Sequence, residues 1–130
     1  MRVRLFAFAV LALAVAAPSL ADEPGPGGSK PPVPKTGEEV YRMYCQACHM
    51  ADAAGASGAG TFPALARNER LGTAAYAIYM VENGKGGMPG FRSALTPVQV
   101  ADLVTYLRTH FGNEYREPVT AAEVEAMRPH

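Results

Sequence analysis

The stretch Cys45-Gln46-Ala47-Cys48-His49 contains both cysteines of this 130-residue chain and sets a histidine directly after the second. On a helical turn, residues three and four apart share a face, so Cys45, Cys48 and His49 can all address one flat ligand. Two thiols at that spacing suit addition across the two vinyl groups of one porphyrin, and the adjacent imidazole suits its iron. The pattern is the attachment motif of a c-type haem, one covalently held group with iron. Other readings of the cysteine pair are chemically weaker. A disulfide would close a tight, strained loop, and a thioredoxin-like redox pair needs a βαβ context that the flanking sequence lacks. A structural zinc site usually takes four ligands, and no second Cys/His pair stands at a plausible spacing.

Toward the N-terminus, Arg2 and Arg4 precede an apolar run from Leu5 to Ala17, and the small-residue site Ser19-Leu20-Ala21 follows. This is the pattern of a cleavable signal peptide over residues 1–21, which directs the chain to the periplasm. The run is short against the ~20 residues that span a bilayer, and Pro18 ends it. Cleavage is therefore expected over retention as an anchor. It removes two of the twelve basic residues and leaves ten against twelve acids. A weakly acidic chain with lysines only at 30, 35 and 85 excludes nucleic acid as a partner class, and it contacts membrane only through partners unless the signal segment is retained. Residues 22–35, rich in proline and glycine, read as a flexible linker.

The next segment, residues 36–112, reads as one all-α domain. Thr36-Gly37-Glu38-Glu39 has the form of a capping box, with two acids favourable to the helix dipole, and starts a helix that runs into the cysteine motif. Residues 50–60 are mostly alanine, glycine and serine and read as a loop; Phe62-Pro63-Ala64-Leu65 is a bent apolar segment. Thr73 is placed to cap a helix whose buried face is expected at Ala74, Ala75, Ile78 and Tyr79, with Gly84 as its stop. Thr96, Pro97 and Gln99 open the longest helix, and Val100, Leu103, Val104 and Leu107 form its apolar stripe up to Gly112. Residues 113–130 read as a C-terminal extension with a short helix capped by Thr120 and Glu123.

A six-coordinate haem needs a second axial ligand. Met88, in Gly86-Gly87-Met88-Pro89-Gly90-Phe91, is the expected one: glycines let backbone approach the porphyrin, proline stiffens the turn, and a neutral thioether favours reduced iron. It lies 39 residues beyond His49, enough chain to pass round the haem edge. The competitors are Met43 and Met80, which read as core residues, Met50, which is tied to His49, Met127, His110 near the end of the long helix, where a surface role is expected, and the terminal His130.

These motifs together resemble the class I c-type cytochromes over roughly residues 36–112. The resemblance rests on Gly37 and Tyr41 before the cysteine motif, Phe62-Pro63-Ala64-Leu65, Met88-Pro89-Gly90-Phe91 and the helix ending Val104-Thr105-Tyr106-Leu107-Arg108. It implies a fold of helices wrapped around one haem, with the first and last long helices crossing so that Gly37 and Tyr41 pack against Tyr106 and Leu107. It also implies that the backbone carbonyl of Pro63 accepts a hydrogen bond from His49 and fixes its tautomer. The string Leu107 to Tyr115 and the tail beyond resemble small cytochrome subunits of bacterial periplasmic alcohol, aldehyde and sugar dehydrogenases. The implied role is one-electron transport without catalysis, from such a dehydrogenase to a terminal oxidase or another cytochrome of the respiratory chain. An uncharged rim at Gln46, Ala47, Met50, Ala51, Gly86 and Gly87 would favour apolar, transient docking, with Lys85 and Arg92 near it supplying some steering. The rival reading is a haem enzyme or gas sensor with an open sixth position, which requires that Met88 not bind iron.

Overall fold

The computed structural model describes residues 32–129; the expected signal segment and most of the linker lie outside them. Among the described residues, helix α1 (Gly37–Val40) passes into a π-helical turn (Tyr41–Cys45) and then α2 (Gln46–His49), so the chain is helical from Gly37 through His49. Thr36 caps α1 by accepting from the Glu39 amide at 3.2 Å. The Glu39 carboxylate reaches past the cap to the Lys35 amide at 2.6 Å, so this box closes one residue earlier than the sequence pattern implies. Just before it, Pro34 is buried and its carbonyl accepts from Gln99 Nε2 at 3.0 Å, which docks the end of the proline-rich segment on the domain.

The rest of the domain is helical apart from one short hairpin. Strands β1 (Ala56–Ser57) and β2 (Thr61–Phe62) pair antiparallel, the first inside the segment read as a loop and the second just beyond it. A 3₁₀ turn (Glu69–Gly72) leads to α3 (Ala74–Asn83), then α4 (Pro97–Thr109) and α5 (Ala121–Ala126). Both α4 and α5 start with complete capping boxes, at Thr96/Gln99 and Thr120/Glu123.

Helix α4 is the centre of the core. Its stripe of Val100, Leu103, Val104 and Leu107 is buried as expected, and α1, α3 and α5 all pack on it. The approach of α1 is close enough that a Cβ on Gly37 would collide with the Asp102 carbonyl oxygen and lie 2.7 Å from Tyr106 Cβ. Tyr41 then sits fully buried with its ring 6.0 Å from that of Tyr106 and 5.1 Å from that of Phe111. The C-terminal extension is no loose appendage: Val119 and Val124 belong to the same core.

Two differences from the sequence reading share one cause. The inward face of α3 is Ala77, Ile78, Val81 and Glu82, while Ala75 and Tyr79 are exposed. Met43, expected in the core, is 44% exposed, and Met80 faces a cavity instead. Short helices with apolar residues on several sides do not reveal which side meets protein and which meets a cofactor, because both environments take apolar residues.

Candidate haem site

The π-helical turn brings Cys45 to its end, and the α-helical turn that follows carries Cys48 and His49. A π turn widens a helix by one residue and is most often found at functional positions. Here it re-aims the chain just before the first cysteine. Cys45 is buried and Cys48 exposed, and neither is in a disulfide. Burial, assisted by the nearby Cys48, pushes the Cys45 thiol up to about 12. That is the opposite of the lowered thiol pKa that a redox-exchange pair needs.

His49 is buried, and its Nδ1 lies 2.9 Å from the carbonyl oxygen of Pro63. A carbonyl only accepts, so this contact requires the proton on Nδ1 and leaves Nε2 with its lone pair free. The helix end that carries His49 is itself fixed. The buried Tyr41 hydroxyl donates to the Met50 carbonyl at 2.6 Å, and the Gly55 amide donates to the His49 carbonyl at 3.1 Å. Burial is the main reason that the Tyr41 phenol is pushed up to about 12, which keeps it a donor at any physiological pH.

The segment that follows Pro63 is held by a residue the sequence did not single out. Asn113, buried after α4, donates from Nδ2 to the carbonyls of Leu65 and Leu107 at 2.9 and 2.8 Å. Its Oδ1 accepts from the Asn68 amide at 2.8 Å. One side chain thus ties the segment after Pro63 to the end of the central helix. No local pattern marks such a residue, because two of its three partners lie 45 and 48 positions away.

Met88 sits in a two-residue hairpin turn, with Lys85 and Met88 exchanging backbone hydrogen bonds at 3.0 and 3.1 Å. Gly84 opens the turn at φ +69°, where a Cβ would strike the Met88 carbonyl oxygen. Only glycine fits there without strain.

These pieces meet at one cavity of about 380 Å³, lined by Cys45, Cys48, His49, Pro63, Met80 and Met88 among others. Two thiols, a tautomer-fixed imidazole and thioether sulfur on an apolar wall are the donor set that a covalently attached haem requires. Tyr44, Tyr76 and Phe91 add aromatic wall, and Arg70 and Lys85 are its cations. The competing ligands part company here. Met80 lines the cavity with Met88, whereas His110 is exposed, with its ring 4.2 Å from that of Tyr106.

Residues 32–107 match the family of cytochrome c oxidase, cbb3-type, subunit III. The chain belongs to this family of c-type cytochromes. Its cofactor is haem c, covalently attached at the Cys45/Cys48 motif.

Comparison with known proteins supports the same conclusion. The cytochrome is 33% identical over 73 residues to cytochrome c6 of Leptolyngbya boryana, covering 55% of this chain and 85% of that one. It is 32% identical over 105 residues to the cytochrome c subunit of the quinone alcohol dehydrogenase of Gluconacetobacter polyoxogenes, covering 71% of this chain. The match spans only 22% of that longer subunit. Among solved structures, the c-type cytochrome KustC0563 superposes with a TM-score of 0.50 at 26% identity, over 59% of this chain and 98% of that one. The class I cytochrome fold and a role in electron transfer follow from these relationships.

Proposed function

We propose that this cytochrome is a periplasmic monohaem carrier that takes single electrons from a dehydrogenase of the alcohol, aldehyde or sugar type. It passes them to a terminal oxidase or another cytochrome of the respiratory chain. The observation that carries the reading is the convergence of Cys45, Cys48, His49 and Met88 on one apolar cavity. Haem c supplies the one-electron couple. The chain's own residues do the rest: Cys45 and Cys48 hold the group, and His49 offers Nε2 to the iron. Pro63, through its carbonyl, keeps that ring in one tautomer, and Met88 would offer its thioether sulfur to the iron. With His49 and Met88 both committed to it, the group would offer no open place to a substrate and would supply electron transfer alone. Similarity to a dehydrogenase cytochrome subunit supports the donor class. The Arg2/Arg4, apolar and Ala21 pattern supports export. Among the described residues no helix is long and apolar enough to cross a membrane.

The assignment of Met88 over Met80 is tested with two variants of the ferric holoprotein. Met88→Ala should abolish the weak sulfur-to-iron charge-transfer band in the red, allow carbon monoxide to bind the reduced form, and lower the potential by on the order of 100 mV. Met80→Ala should leave that band in place. The reverse pattern would assign Met80, and an unligated sixth position in the parent protein would make it an enzyme or gas sensor.

A further inference from the structure

Glu82 is a carboxylate at the inner face of α3 whose side chain is only 2% exposed, and two arginines clasp it. Arg128, near the C-terminus, grips it as a fork, with Nη2 to Oε1 at 2.8 Å and Nε to Oε2 at 3.1 Å. Arg92 donates Nε to the same Oε2 at 3.1 Å and Nη2 to Asn83 Oδ1 at 2.9 Å. Arg128 also donates to the Leu95 carbonyl at 3.0 Å. The segment between α3 and α4 carries Met88. Beyond the Phe91 amide, which donates to Val81 at 2.9 Å, it is held at Arg92 through Glu82 and at Leu95 directly by Arg128. A buried carboxylate this well paired is costly to strip of one partner, and arginine alone supplies the planar fork.

We propose that Arg128 is a positioning residue for Met88. The C-terminal tail acts as a clasp on the ligand-bearing segment and so governs how firmly the thioether holds the iron. The proposal rests on Met88 being the sixth ligand. Arg92, read from the sequence as a rim cation for docking partners, is instead a member of this clasp.

The experiment uses the ferric holoprotein and exogenous imidazole, which competes for the sixth position. Arg128→Ala should raise imidazole affinity about tenfold, weaken the red charge-transfer band and speed amide exchange at Phe91. Arg128→Lys should restore part of each, because lysine keeps the charge and loses the fork. Val124→Ala, a core truncation in α5, serves as the control for general loosening; it should destabilise the fold while changing imidazole affinity far less. Equal effects of Arg128→Ala and Val124→Ala on imidazole affinity, or none from Arg128→Ala, would overturn the clasp while leaving Met88 as ligand. Absence of the charge-transfer band from the parent protein, or its survival in Met88→Ala, would overturn both readings.

Discussion

Gly37 has no side chain because a main-chain carbonyl of α4 lies where one would begin. The resemblance to class I cytochromes pointed to this contact, and the structure supplies its reason. A backbone carbonyl inside a helix cannot rotate away as a flexible side chain can. Gly37→Ala should therefore cost about 3 kcal/mol, read by denaturant unfolding of the holoprotein, and separate α1 from Tyr106. His49, Cys45 and Cys48 were equally legible, because their chemistry demands a fixed local spacing. Met80 was not. Its place four residues beyond Tyr76 looks like ordinary helical packing, and only the fold shows that both line the cavity.

Helix ends were the most legible elements, since a cap is a local event among residues three apart. Thr96/Gln99 and Thr120/Glu123 form the boxes their spacing implies. The second has a pH signature. The Thr120 backbone amide, then its hydroxyl, hold Glu123 below the ordinary value of 4.5. A carboxyl lowered in the folded state adds stability that is fully present above 4.5 and is lost as pH falls through the lowered value. Amide protection at Val124, whose N–H donates to the Thr120 carbonyl, should decline in acid below that point. Glu123→Gln should flatten the dependence, because glutamine caps without titrating. A profile unchanged by Glu123→Gln would count against it. The orientation of α3 was less legible than its ends, because its apolar residues serve both the protein core and the cavity wall.

At the scale of the described domain, a cavity of about 380 Å³ lies between the helix of the cysteine motif and the Met88 turn. A small domain with that much of its centre reserved for a cofactor gains much of its folding free energy from binding it. The apoprotein, expressed without haem attachment or with both cysteines replaced, should show little helical circular dichroism. Native helicity without haem would contradict this. At the surface, Arg92 is committed to Glu82, leaving Arg70 and Lys85 as the cations at the cavity wall. Electron transfer with the proposed dehydrogenase donor should thus change less than about fivefold between ~10 and ~150 mM salt. A steeper loss would show that docking is chiefly electrostatic.

By itself, the sequence determined the cofactor, the helical class and where the helices start, because each follows from residues within a few positions of one another. Only the tertiary structure decided that Met80 shares the cavity with Met88 and that Asn113 braces the segment after Pro63. It also decided that Arg92 and Arg128 meet on Glu82. The hydrogen bonds and ion pairs among them reach up to 48 positions along the chain. Hydrogen-bond and ion-pair partners at such separations leave no periodic trace in a single sequence, since any turn of the chain that brings them together serves equally well.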